Sequence, residues 1–136
     1  MDKYDPITTP ELAARYPRSA KYDPAWIAEH ALGSHCLWLT EILCGSMKLA
    51  PGMRVLDLGC GHAISSIFLA REFGLQVWAA DLKCSVTDNY SRIREAGVDH
   101  CVFPIHADAR ALPFADNFFD AVVSINSLQY YGTDDL

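Results

Sequence analysis

The chain has 136 residues, 51% of them hydrophobic, with 11 Lys and Arg against 17 Asp and Glu, a formal net charge of -6. That is one domain with enough apolar mass for a core, and its acidic balance weighs against a nucleic-acid binder, which needs clustered Lys and Arg. Cys36, Cys44, Cys60, Cys84 and Cys101 are odd in number and lack paired spacing, which argues against a disulfide framework or a zinc site and for reduced thiols in a cytoplasmic protein. No stretch approaches the ~20 apolar residues of a membrane span, and Met1 to Pro6 has no apolar signal core.

The first part, residues 1–48, reads as a helical segment. Thr9 and Pro10 start a short helix, and Asp23-Pro24 starts a second over Ala25 to Leu32, stopped by Gly33. Ser34 caps a third helix running through Met47, with Leu37, Trp38, Ile42 and Leu43 on one face. Ala50-Pro51-Gly52 is a turn, after which strand and helix alternate over residues 49–136. Strands are expected at Arg54 to Leu58, Gln76 to Asp81, His100 to Ile105 and Phe119 to Ile125. Helices are expected at Ile64 to Phe73 and at Val86 to Ala96, the latter capped by Ser85 with Asp88 in a capping-box position. A loop spans His106 to Asn117. This alternation predicts an α/β chain with a Rossmann-like, doubly wound, mostly parallel sheet of about four strands behind an N-terminal helical segment.

The most informative stretch is Val55-Leu56-Asp57-Leu58-Gly59-Cys60-Gly61. An apolar run of this kind is a buried parallel strand. Glycines at its end let the chain turn sharply and let a ligand approach the backbone, while the following helix points its free N–H groups at that ligand. A dinucleotide site wants a third glycine, yet that position holds bulky Ile64. Asp81 ends the second strand, where an acid can accept hydrogen bonds from both hydroxyls of a ribose.

The run Leu49-Ala50-Pro51-Gly52-Met53-Arg54-Val55-Leu56-Asp57-Leu58-Gly59-Cys60-Gly61 closely resembles the first motif of class I S-adenosylmethionine-dependent methyltransferases, and the resemblance continues to Tyr131. It implies S-adenosylmethionine as cofactor and S-adenosylhomocysteine as product. It also implies that Asp57, Gly59, Cys60 and Gly61 shape the cofactor turn, that Asp81 holds the ribose and Leu82 packs on the adenine, and that Asp108 and the Ala109 N–H receive the adenine edge. Leu112-Pro113-Phe114 and Phe118-Phe119-Asp120 are further hallmarks, and Asn126 opens the loop where the methyl group should sit. Ala63 stands where glycine is common. The Asn/Asp-Pro-Pro-aromatic signature of amino-directed nucleic-acid methyltransferases is absent, which points to a small-molecule acceptor.

The sulfonium already activates the methyl group, so the protein mainly aligns the reactants and excludes water; no catalytic residue need be visible. Tyr130, Tyr131, His106 and Tyr22 are candidates to line an acceptor pocket. Tyr4, Tyr16, Tyr22 and Trp26 form a lid or pack the helices to the sheet. His62 reads as a turn residue valued for its backbone, His30, His35 and His100 as ordinary residues, and Cys60 as a packing residue. Thr133-Asp134-Asp135-Leu136 reads as a helix start with no helix after it. Truncation after the fourth strand is the favoured expectation, and a homodimer through that exposed apolar edge the other. Two alternatives stand beside the methyltransferase: a non-catalytic cofactor-binding or assembly module, and an NAD-dependent oxidoreductase. No metal is expected.

Overall fold

The computed structural model describes residues 10–32 and 35–125. Four parallel strands form one sheet in the order β3-β2-β1-β4: β1 Arg54–Leu58, β2 Gln76–Asp81, β3 Val102–His106 and β4 Ala121–Val123. The helices are α1 Pro10–Arg15, α2 Pro24–His30, α3 Cys36–Cys44, α4 Ile64–Phe73 and α5 Val86–Glu95. The chain steps outward from β1 to β3, then returns to the other side of β1. The carboxyl ends of β1 and β4 therefore flank a topological switch point, where open α/β sheets place their ligands.

Alternation along β1 sorts its side chains between two faces. Val55 joins Val77, Val102 and Val123 in a core with Ile67 and Ala70 of α4 and Ile93 of α5. Leu56 points the other way, onto Ala80 and Ala107, where Trp78, Phe114 and Phe119 pack. That second face is covered by the β3–β4 connection, which among the described residues has no helix. Its rings pack edge to face, with Phe119 4.8 Å from Phe114 and 5.5 Å from Trp78.

The elements fall near where expected, most with shorter ends; β3 is shifted, starting at Val102 and taking in His106, which was expected in the loop, and α2 runs Pro24–His30. The α3 helix stops at Cys44, because Gly45 and the Ser46 hydroxyl, which donates to Leu43 O, turn the chain before Met47. Its cap is the His35 ring, accepting from Trp38 N at 3.3 Å; Thr9, Gly33 and Ser34 lie outside the described residues. The fourth strand is three residues rather than seven: Phe119 leaves the ladder for the aromatic cluster, and Asp120 turns its carboxylate to Arg54 N at 2.8 Å.

Two carboxylates hold the N-terminal segment, one within it and one to α4. Glu41 on α3 accepts from Arg18 N, Ser19 N and the Ser19 hydroxyl at 3.1, 2.8 and 2.8 Å. Glu72 on α4, its side chain only 7% exposed, pairs with Arg18 and Lys21 and accepts the Tyr22 hydroxyl at 2.9 Å. Burial works to raise the Glu72 carboxyl, but the Lys21, Tyr22 and Arg18 donors outweigh it and hold it below its ordinary 4.5. A depressed carboxyl stabilises the fold above its unfolded value and loses that contribution as pH falls through the folded one. Between neutrality and pH 4.5 wild type and Glu72→Gln should differ by a constant gap, and below pH 4.5 the gap should shrink; thermal unfolding against pH checks this.

Candidate functional site

A cleft of about 510 Å³ opens at the carboxyl ends of β1, β2 and β3, with Ile125 after β4 on its wall. Its size suits a small molecule. The first wall is the glycine turn. Gly59 and Cys60 donate to Ala80 O at 2.8 and 3.0 Å, so the loop after β1 is tied to the end of β2. Gly59 and Gly61 have φ of 72° and 58°, a region that costs a side chain roughly 1–2 kcal/mol. Ala63 bears that strain at φ 65° as the N-cap of α4. A Cβ on Gly61 would also meet Leu32 Cδ1 at 3.1 Å, since the segment after α2 lies directly over the turn.

Asp81 ends β2 beneath this turn. Its Oδ2 accepts Gly61 N at 2.9 Å, and its Oδ1 accepts Lys83 N and Cys84 N at 2.8 and 2.9 Å. Three backbone donors use most of a carboxylate's roughly four acceptor positions. Asp81 thus builds the turn as well as facing the cleft. Further along, Asp108 accepts Arg110 N at 2.9 Å and the Arg110 side chain at 3.0 and 2.8 Å, which pulls its carboxyl down to about 2. Leu82, 47% exposed, and Ala109 complete that end.

Asp57 occupies a different place. On β1 it shares the face of Val55, beneath the turn, and is fully buried. Its Oδ2 accepts the Ser65 and Ser66 hydroxyls at 2.6 and 2.7 Å, while its Oδ1 has no hydrogen-bond partner. Burial pushes its carboxyl up, against the pull of the two serines. Asp57 clamps the first turn of α4 to the strand and does not line the cleft.

Gly59, Cys60, Gly61, Asp81, Leu82, Asp108 and Ala109 come together on the cleft wall as the sequence suggested. Tyr22 and His106 do not: Tyr22 is drawn to Glu72 and packs tilted 5.5 Å from Phe68, and His106 faces Leu82 O at 3.0 Å without reaching the cleft wall. Asn126, Tyr130 and Tyr131 lie outside the described residues, as does Tyr4. Tyr16 packs on Trp38 at 5.0 Å and Tyr22 on Trp26 at 6.0 Å, so these aromatics bind the helices to one another. Burial holds the Cys60 thiol well above its ordinary range, which leaves it protonated and a packing group.

Sequence reasoning missed several residues. Asn89 of α5 is buried, donates to Gly61 O at 2.9 Å and accepts Arg92 at 2.6 Å, while Arg92 donates to His62 O at 3.1 Å. These bonds brace the glycine turn from behind. Cys36 and Cys84 also reach the cleft, and so do His30 and His62, whose Nδ1 atoms lie 3.3 Å apart. Asn89 could have been flagged as an amide on the apolar side of an amphipathic helix; the histidines, 32 residues apart, offered no spacing to read.

Residues 55–136 match the model of a family described as a methyltransferase domain. The chain belongs to that methyltransferase family. A demethylmenaquinone methyltransferase of Mycobacterium sp. (strain KMS) is 37% identical over 92 residues, covering 68% of this chain and 36% of that protein. The chain therefore spans about a third of the length of the curated relatives it matches. Among solved structures, an S-adenosylmethionine-dependent methyltransferase from Geobacter sulfurreducens in complex with S-adenosyl-L-homocysteine superposes with a TM-score of 0.56 at 28% identity, over 65% of this chain and 35% of that one. The cyclase SpnF superposes at 0.58 with 33% identity, over 62% and 32%. The described helices include none long and apolar enough to cross a membrane.

Proposed function

We propose that this chain binds S-adenosylmethionine in the cleft and forms the cofactor-holding part of an enzyme that methylates a small, non-nucleic-acid acceptor. One observation carries the reading: the Asp81 carboxylate and the backbone of the glycine turn meet at the carboxyl ends of β1 and β2, with Asp108 after the next strand. Asp81 and the turn would hold the ribose, Leu82 the adenine face, and Asp108 with Ala109 the adenine edge. Bound there, the cofactor supplies a methyl group already activated on sulfur. The chain's own residues bind, orient and exclude water; Asn89 and Arg92 keep the turn in register. Asn126, Tyr130 and Tyr131 are proposed to border the methyl group and the acceptor.

Ile64, almost fully buried at the third-glycine position, disfavours a pyrophosphate and with it a nicotinamide enzyme. A second reading, a cofactor-binding module that assembles through its edge, is favoured by β4, which among the described residues is an outer strand of the sheet and whose Val122 is 56% exposed. Five thiols with no disulfide fit the cytoplasm. Calorimetric titration with S-adenosylhomocysteine tests the first reading, and solution mass the second: a monomer that binds it argues against edge-driven pairing.

A further inference from the structure

The cleft has two ends of different chemistry. Toward β2 and β3 stand Asp81, Leu82 and Asp108, the side assigned above to ribose and adenine. Toward α2 and α3 stand His30, Leu32, Cys36, Ile64 and Ser65. A molecule that carries an amino acid on its nucleoside brings a carboxylate to this second end, and a carboxylate taken out of water needs cationic or strong donor partners. The cleft's other basic side chains, Lys83 and Arg110, belong to the Asp81–Asp108 end. Among the described residues, the basic groups lining the second end are His30 and His62.

Those two rings are already coupled. Their Nδ1 atoms are 3.3 Å apart and their planes meet at 66°. A contact between two Nδ1 atoms needs one of them protonated and the other bare. The pair can therefore be neutral or carry one added proton with the contact kept, while a second added proton forces the rings apart. Arg92 of α5 works against charging His62, as does its burial; Asp81 of β2 and Asp88 of α5 work for it. Glu29 stands 3.8 Å from His30 Nε2, and the Trp26 ring 6.1 Å from the His30 ring. His62 also immediately precedes the N-terminus of the ten-residue helix α4, which favours negative charge at the same place.

We propose that His30 and His62 form the subsite for the cofactor's amino-acid carboxylate, and that the pair takes up one proton as that carboxylate binds. The inference rests on the proposed S-adenosylmethionine site. An anion beside an imidazole favours its charged form, so bound pairs hold a proton that free pairs have lost near neutrality. Affinity should then fall as pH rises, by at most about tenfold per pH unit for one proton. The contact also fastens α2 to the glycine turn, so the carboxylate would tighten the N-terminal segment over the cleft.

The test is calorimetry of the full chain with S-adenosylhomocysteine in two buffers of different ionisation enthalpy, between about pH 6 and 8, with 5′-methylthioadenosine as the ligand that lacks the carboxylate. Wild type should take up close to one proton with S-adenosylhomocysteine and none with methylthioadenosine. His62→Gln and His30→Gln should each abolish the uptake and weaken S-adenosylhomocysteine roughly tenfold, leaving methylthioadenosine affinity unchanged, which also shows that the variants are folded. Binding of S-adenosylhomocysteine without proton uptake, or uptake that survives both substitutions, overturns this inference alone. No binding of either ligand overturns the cofactor reading as well.

Discussion

Replacing Asp81 by alanine should reduce affinity for S-adenosylhomocysteine by a hundredfold or more. Two losses combine. A hydrogen bond to a charged group contributes about 1.5–3 kcal/mol, roughly ten- to a hundredfold, and the proposed ribose contact would be of that kind. The same carboxylate also accepts Gly61 N, Lys83 N and Cys84 N, so its removal frees the turn that shapes the cleft. Asp81→Asn keeps an acceptor oxygen but loses the charge, and should fall between wild type and alanine. Titration calorimetry of the three proteins decides it. Unchanged affinity in the alanine variant would remove Asp81 from the site.

The second large effect is on the fold. Phe68 of α4 is fully buried in the cluster with Ile27, Leu37 and Ile64 that joins the N-terminal helices to the sheet domain. Its ring lies 5.5 Å from Tyr22 and 6.4 Å from Phe73. Phe68→Ala should cost about 3–5 kcal/mol, the transfer energy of the ring plus the cavity it leaves. That is a large share of the ~5–15 kcal/mol of a domain. The loss falls where α2 and α3 are held, so hydrogen exchange should rise first in residues 10–44, and denaturant unfolding gives the total. Uniform exchange with an unchanged midpoint would contradict this view of the cluster.

Much of this was legible in the residues. β1, α4, β2 and α5 follow from apolar runs and periodicity, punctuated by Gly74 and Gly97, which adopt positive φ at 66° and 75° after their helices. The ends of β3 and β4 were not, because pairing decides them. β4 forms its ladder only against Val55, Leu56 and Asp57, and competition from the Trp78 cluster for Phe119 is invisible in a linear pattern. Within the site, Asp81 and the glycines could be read from their place at strand ends. Asp57 shows the limit. A motif marks it as important, but the face it takes, toward Ser65 and Ser66 rather than the cleft, follows from strand alternation set by the whole sheet. The His30–His62 contact needs α2 folded back over the turn, which depends on Glu41, Glu72 and Phe68 together.

The central claim is that the cleft at the ends of β1, β2 and β3 holds an S-adenosylmethionine-type ligand. Titrating the chain with S-adenosylhomocysteine, with NAD in a parallel cell, tests it most directly. Saturable one-site heat with the first ligand, none with the second, is the predicted result. No heat and no thermal shift at millimolar S-adenosylhomocysteine, or a preference for NAD, would contradict it.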